Sequence, residues 1–183
     1  MGRKDSTIYA PDIRFPIQRS PAYANSQVWG VGGQQGPPGS QCDSRNFSYP
    51  WHDNYCEIRT SDLPLCPSGK GHQGQDLRAA TCDKDAHWVV AVANAIVTSV
   101  GPYSVYLTAA DGTRFDYLHM SNVRVNNLQR VTQGERLGTV SNVFNGTPTT
   151  VHLHFNVRQN VADLGFVFVP PYTSLVKAYE RLP

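Results

Sequence analysis

The sequence predicts a mainly β protein: an antiparallel sheet domain with a loop-rich amino-terminal arm and a short carboxy-terminal helix. Three observations lead there. Hydrophobic residues make up 40% of the 183-residue chain and charged residues only 16%, while 15 Gly and 13 Pro interrupt any long helical run. From His87 onward, short runs rich in β-branched and aromatic residues alternate with turn dipeptides such as Gly101-Pro102 and Asp111-Gly112. Ahead of them, Pro11, Pro16, Pro21, Pro37, Pro38 and Pro50 leave room only for extended segments and turns.

Residues 1–55 therefore read as an arm, and 56–183 as the domain it packs on. Ile8, Tyr9, Ile13, Phe15, Ile17, Tyr23, Val28 and Trp29 give the arm enough apolar surface to be held down rather than disordered. The stretch Ser48–Cys56 mixes aromatic and polar side chains, as do both ligand-contacting loops and loops stapled to a core. His52 within it has no partner at metal spacing and reads as a surface histidine. Next, His72 and Asp76 flank a glycine-rich stretch. Gly69, Gly71 and Gly74 argue against a helix, and a straight strand would hold the two side chains roughly 13 Å apart. A bend at Gly74 would bring them together.

Strands are predicted over 87–92, 95–100, 104–108 and 114–119, the last two joined by an Asp111-Gly112 hairpin. A glycine-punctuated turn and strand follow over 131–140, then a strand over 152–157. After Pro170-Pro171, Thr173 can cap a helix from Ser174 to Leu182, with Leu175, Val176, Tyr179 and Leu182 on its apolar side.

A formal charge of +2 and a pI near 8.4, with no stripe of Lys and Arg interleaved with aromatics, exclude an obvious nucleic-acid binder. No run is apolar enough to span a bilayer, and the chain is expected to be a monomer. Cys42, Cys56, Cys66 and Cys82 are even in number and clustered, and no Cys-x-x-Cys pair suggests a thiolate metal site. Two disulfides in an oxidising compartment are expected. Sequential pairing, Cys42 with Cys56 and Cys66 with Cys82, closes the shorter loops. Met1–Ser6 are not followed by the apolar run of a signal peptide, so an exported protein would have had its signal trimmed.

The chemistry centres on Val151-His152-Leu153-His154-Phe155. In a strand, alternate side chains share a face, so His152 and His154 look into one space roughly 7 Å apart. Spacing alone allows both to bind one metal, or one to bind it while the other holds its water. His72 with Asp76, and His119 at a strand end, offer two further places. Singly, each is more often hydrogen-bonded core or surface; together they suggest a metal site. Two imidazoles and one carboxylate suit a tetrahedral zinc with a fourth position open, as in catalytic sites.

Gly71-His72-Gln73-Gly74-Gln75-Asp76-Leu77, Tyr117-Leu118-His119-Met120-Ser121, Gln133-Gly134-Glu135-Arg136-Leu137-Gly138 and His152-Leu153-His154-Phe155 occur in the order and character of a known family. Across about Gly69 to Arg158, the chain resembles the lysostaphin-type, or LytM-like, zinc metalloendopeptidases that cut peptidoglycan peptides. The resemblance implies an antiparallel sheet groove, one Zn2+ ion held by His72, Asp76 and His154, and His119 and His152 lining the site as catalytic residues. His152 is assigned general base and His119 oxyanion stabiliser, with exchange of the two left open. The expected substrate is a peptidoglycan stem or cross-link, the expected setting the periplasm or exterior of a bacterium. The alternative is a catalytically silent or autoinhibited module that binds wall or a regulatory protein partner. In the autoinhibited version, Asp43, Asn46 or His52 of the arm would supply a fourth ligand. The sequence departs from the family at Ala95, across 145–150, and at Asn156, where an acid is usual. His87 is read as structural.

Overall fold

A computed structural model describes residues 6–182; the opening residues read above for a signal peptide lie, apart from Ser6, outside the described residues. The strands are β1 (Tyr23–Ala24), β2 (Gln75–Arg78), β3 (Trp88–Val90), β4 (Ala95–Val100), β5 (Ser104–Ala109), β6 (Arg114–Leu118), β7 (Met120–Ser121), β8 (Arg130–Val131), β9 (Arg136–Val140), β10 (Leu153–Val161) and β11 (Gly165–Val169). The helix α1 spans Tyr172–Glu180. The larger sheet runs in the order β1-β2-β10-β6-β5-β4-β8, with β11 also on β10, and β3-β9-β7 form a smaller sheet. The pairings are antiparallel. The fold is mainly β, as composition and turn spacing predict.

Strand β10 sits inside the larger sheet because its alternation is strict. Leu153, Phe155 and Val157 are fully buried. Phe155 stacks on Phe115, ring centroids 6.2 Å apart, and meets Tyr117 edge-on at 5.2 Å. His154 and Asn156 therefore point to the opposite face. Ile13, Phe15 and Ile17, from the first part of the chain, belong to the same core cluster as these strand residues. Their backbone is tied to the small sheet through Gln18 N–H to the Trp88 carbonyl, 2.9 Å, and Val90 N–H to the Pro16 carbonyl, 2.8 Å.

Several local expectations are corrected. The disulfides join Cys42 to Cys82 and Cys56 to Cys66, with Cα separations of 5.4 and 5.5 Å. Arg78, ending β2, donates to the Gln41 carbonyl at 3.0 Å, which lays the chain at Cys42 beside the chain leading to Cys82. Tertiary pairing, not loop length, selects the partner. Helix α1 starts two residues before Ser174, and Thr173 lies within its first turn rather than capping it. The position before the helix is Pro171, whose carbonyl accepts from Leu175 N–H at 2.9 Å; proline has no N–H to leave unpaired there. Ser174, Leu175 and Ala178 are its buried residues, while Val176 is half-buried. β3 is shorter than the predicted 87–92, and β11 was not anticipated. It extends the sheet by pairing with the far half of β10, Val157 opposite Val169.

Candidate metal centre

The register of β10 brings the first two site residues together. His154 lies directly opposite Asp76 on β2 and opposite Leu118 on β6, and directly opposed residues have Cβ atoms about 5 Å apart. His72 precedes β2 and reaches the same point because the chain bends at Gly74. A Cβ at Gly74 would collide with the Asn156 side chain and the Phe155 carbonyl, so only glycine lets the bend lie against β10. His72 and Asp76, far apart in a straight strand, approach to 3.3 Å between Nε2 and Oδ1.

Three acceptor atoms converge. His154 Nδ1 is 2.9 Å from Asp76 Oδ1, and His72 Nε2 is 2.9 Å from His154 Nδ1. The remaining atom of each group is occupied. His72 Nδ1 lies 3.0 Å from the Asn54 carbonyl, and His154 Nε2 lies 2.6 Å from Asn156 Oδ1. Both nitrogens face acceptors and so carry the ring proton, leaving His72 Nε2 and His154 Nδ1 as lone pairs. Asp76 Oδ2 accepts from Asn54 Nδ2 at 2.8 Å. In the neutral rings, two lone pairs and a carboxylate oxygen thus face one another at 2.9 to 3.3 Å, an arrangement a cation relieves. His72, Asp76 and His154 are the group among the described residues whose ligand atoms could hold a metal. The nitrogen and oxygen donor set fits zinc.

Asn54 and Asn156 were not singled out as site residues by sequence reasoning. Asn54 orients both His72 and Asp76, also accepting from the Asp76 backbone N–H at 3.1 Å. It lies in the aromatic-polar stretch whose composition fitted a ligand-contacting loop as well as a stapled one. In the sequence Asn156 stands out only as a departure from the family; its place one alternation beyond His154, on the same face of β10, is the signal that marks it as a site residue.

The other two histidines face the same space. His152 bridges Ser141 just before β10. Its Nδ1 donates to the Thr150 carbonyl at 2.8 Å, and Nε2 lies 3.5 Å from Asp76 Oδ1. His119, at φ 66°, sits in left-handed backbone between β6 and β7, a conformation that is uncommon for a residue with a side chain and is held at functional sites by its surroundings. Its Nδ1 faces the Val143 carbonyl at 3.1 Å, and its ring centre is 4.6 Å from that of His152. Burial, reinforced by the His154 imidazole, pushes the pKa of His119 down to about 4. Burial, opposed by Asp76 but aided by His119, pushes that of His152 down to about 3. Both rings are neutral at neutral pH and present Nε2 as a proton acceptor. Burial alone would raise Asp76, but the surrounding histidines, His72 foremost, hold it well below the usual carboxylate range.

The five residues line one cleft of about 350 Å³, together with Gln27, Arg59, Gln73 and Phe144. Larger clefts beside Trp88, of about 440 and 510 Å³, carry no such donor set. The arm candidates for a fourth ligand are elsewhere. Asp43 is paired with Arg45, Asn46 is consumed by the Val31 backbone, and His52 is exposed on another cleft. Asn46 turns inward to close its own loop and Asp43 caps a short turn, so neither side chain extends toward the histidines. His87 bonds Thr81 through Nε2 at 2.7 Å, outside the cleft.

A family model for peptidase family M23 matches residues 70–164, more than half of the chain. No curated protein matches. Among solved structures, the chain is similar to a proposed glycyl-glycine endopeptidase lytM from Ruminococcus gnavus, with 20% identity over 92% of this chain and a TM-score of 0.60. The chain spans 61% of that protein's length. It is also similar to the catalytic domain of the antimicrobial peptidase lysostaphin from Staphylococcus simulans, with 25% identity, 54% of this chain and 74% of that one covered, and a TM-score of 0.42. The first likeness shows the sheet groove fold.

Proposed function

We propose, on the premise that the chain belongs to peptidase family M23, that it is a zinc-dependent endopeptidase cutting peptide bonds in peptidoglycan stems or cross-links. The observation that carries this is the convergence of His72 Nε2, Asp76 Oδ1 and His154 Nδ1, each with its other polar atom already satisfied. These three would hold the ion. Zinc supplies Lewis-acid polarisation of the scissile carbonyl and lowers the pKa of water to about 7.

The chain's own groups do the rest. His152, neutral and oriented by the Thr150 carbonyl, accepts a proton at Nε2 from the attacking water and returns it to the leaving amine. His119, held by the Val143 carbonyl, presents its own Nε2 to the same space and is the second candidate for either role, base or oxyanion stabiliser. Because both rings face backbone carbonyls through Nδ1, each can donate to an oxyanion through Nε2 only as an imidazolium; the attacking water releases one proton, so the ring that takes it is the one that donates to the oxyanion before passing that proton to the leaving amine. In this reading the part 56–183 carries the reaction, and the described part of the 1–55 arm contributes Gln27 and Val28 to the cleft and Asn54 to the positioning of His72 and Asp76. Two disulfides support an exported setting, periplasmic or secreted; in a Gram-negative periplasm the family resemblance favours a D-alanyl-diaminopimelate bond over a glycyl-glycine bridge.

The test is digestion of purified peptidoglycan by zinc-loaded protein beside its His154→Ala variant, with products identified by mass. Cleavage by the parent alone, at a D-alanyl-diaminopimelate link, is the expected result. Zinc binding with no product would overturn the reading in favour of a silent module.

A further inference from the structure

Among its described lining residues, the cleft around the histidines has one fixed positive side chain, Arg59, and it comes from outside the segment that matches the family. Arg59 lies on the loop closed by the Cys56–Cys66 disulfide and lines the cleft with His72, Asp76 and His154. Its side chain is 27% exposed, and two contacts fix it. Nη2 donates to Glu57 Oε2 at 3.0 Å, and Nη1 donates to the Ile58 carbonyl at 2.7 Å. Glu57 is itself buried, and its backbone carbonyl accepts from His72 N–H at 2.8 Å. The guanidinium is thereby referenced to a candidate metal ligand through one short run of backbone. A guanidinium has five N–H donors in a rigid fork, so donors remain after these two contacts. Among the described residues lining the cleft, Asp76 is the only carboxylate, and it points at the other candidate ligands. Glu57 answers the charge of Arg59 from behind, and among the described residues lining the cleft no further carboxylate faces its remaining donors.

We infer that Arg59 recognises a carboxylate on the residue flanking the scissile bond, so that the preferred substrate is an anionic cross-link and not a neutral glycyl bridge. The inference rests on the endopeptidase reading and sharpens it. In a D-alanyl-diaminopimelate link, the carbon bearing the scissile nitrogen also bears a carboxyl group, next to the bond to be cut; a glycyl-glycine bond has no such group. A prealigned fork meets a carboxylate with two parallel charge-assisted bonds, whereas the amide of a modified diaminopimelate offers one neutral acceptor. Discrimination between the two should be roughly tenfold or more. Glu57 shapes this recognition by holding the fork in place, and the disulfide loop keeps both residues at the rim.

The experiment uses two synthetic cross-linked stem-peptide dimers, identical except that the carboxyl beside the scissile nitrogen is free in one and amidated in the other. Zinc-loaded protein and its Arg59→Gln and Arg59→Lys variants are compared by kcat/KM on each dimer. Binding of both dimers is measured in parallel by calorimetry in a His152→Ala background, where the three candidate zinc ligands remain. The expected result is a preference for the free acid of about tenfold or more in the parent, retained in part by lysine and erased by glutamine. The ratio within one variant cancels any general damage to the loop. Equal treatment of the dimers by the parent, or an undiminished ratio in Arg59→Gln, overturns the inference. If neither dimer is cut, the endopeptidase reading falls for this bond, while the calorimetric ratio still decides the role of Arg59: equal binding, or none, refutes it.

Discussion

Replacing Asn156 by leucine should weaken zinc binding without dismantling the sheet. Asn156 is 4% exposed and accepts the Nε2 proton of His154 at 2.6 Å, while its own Nδ2 reaches toward Asp116 Oδ2 at 3.4 Å. Leucine keeps the approximate volume and removes the acceptor. The imidazole then either keeps a buried, unanswered N–H or shifts its proton to Nδ1, the atom aimed at Asp76 and His72, where it blocks coordination. Leaving such a group unpaired costs about 1–3 kcal/mol, and loss of a partner behind a ligand imidazole lowers metal affinity about 10- to 100-fold. The assay is competition for zinc against a chromophoric chelator, with denaturant unfolding of the metal-free proteins alongside. Because Asp116 retains its pair with Arg114, at 2.7 Å, the rest of this buried polar cluster stays satisfied. An Asn156→Leu affinity within a factor of about two of the parent, with folding intact, would refute the argument that Asn156 sets the tautomer.

Acidification should unfold the metal-free protein before its carboxylates titrate. With His119 and His152 lowered to about 4 and 3, chiefly by burial, the unfolded chain binds two protons that the native state refuses from about pH 6.5 down to about pH 4. His72, raised by Asp76 against its own burial, is protonated in both states there and does not offset the loss. Stability should fall by about 2–3 kcal/mol per pH unit in that window, read by urea unfolding at pH 7, 5.5 and 4.5; a flat profile would remove the basis for treating both rings as buried neutral acceptors. Gly74→Ala, forcing a Cβ against Asn156 and the Phe155 carbonyl, should lose about 1–3 kcal/mol together with zinc affinity, whereas an unchanged chelator titration would mean the bend is not needed. Peptide mapping without reduction should recover Cys42 linked to Cys82 and Cys56 linked to Cys66; recovery of the sequential pairs would contradict the packing of Arg78 on the Gln41 carbonyl.

Much of the sheet was legible because its strands obey a period of two between strong turn residues: β4 and the Asp111-Gly112 hairpin need no tertiary information. The convergence of His72, Asp76, His119, His152 and His154 was legible only as a set, since no single spacing distinguishes a ligand from a core histidine. The illegible parts depend on what lies across space. Asn54 and Asn156 look like ordinary polar residues until their partners are known. The disulfide pairing follows from where β2 ends, which local loop lengths do not encode. The left-handed backbone of His119 is imposed where the chain passes from the larger sheet to the smaller one, against the preference of an ordinary L residue. Helix α1 was misplaced because the capping preference of Thr173 yielded to Pro171 at the end of β11.

Strand β10 serves two masters, with Leu153, Phe155 and Val157 on the core face and His154 and Asn156 on the cleft face. That limits how this region can change over generations. Substitutions act on one face at a time, but inserting or deleting a single codon between His152 and Val157 exchanges the faces of every later position. It would drive polar groups into the core and a phenylalanine into the cleft. Lineages can therefore explore new specificities here by replacing side chains or by lengthening the turn at 142–149, whose residues from Val143 through Pro148 are all solvent-exposed. Within the strand itself, length is frozen.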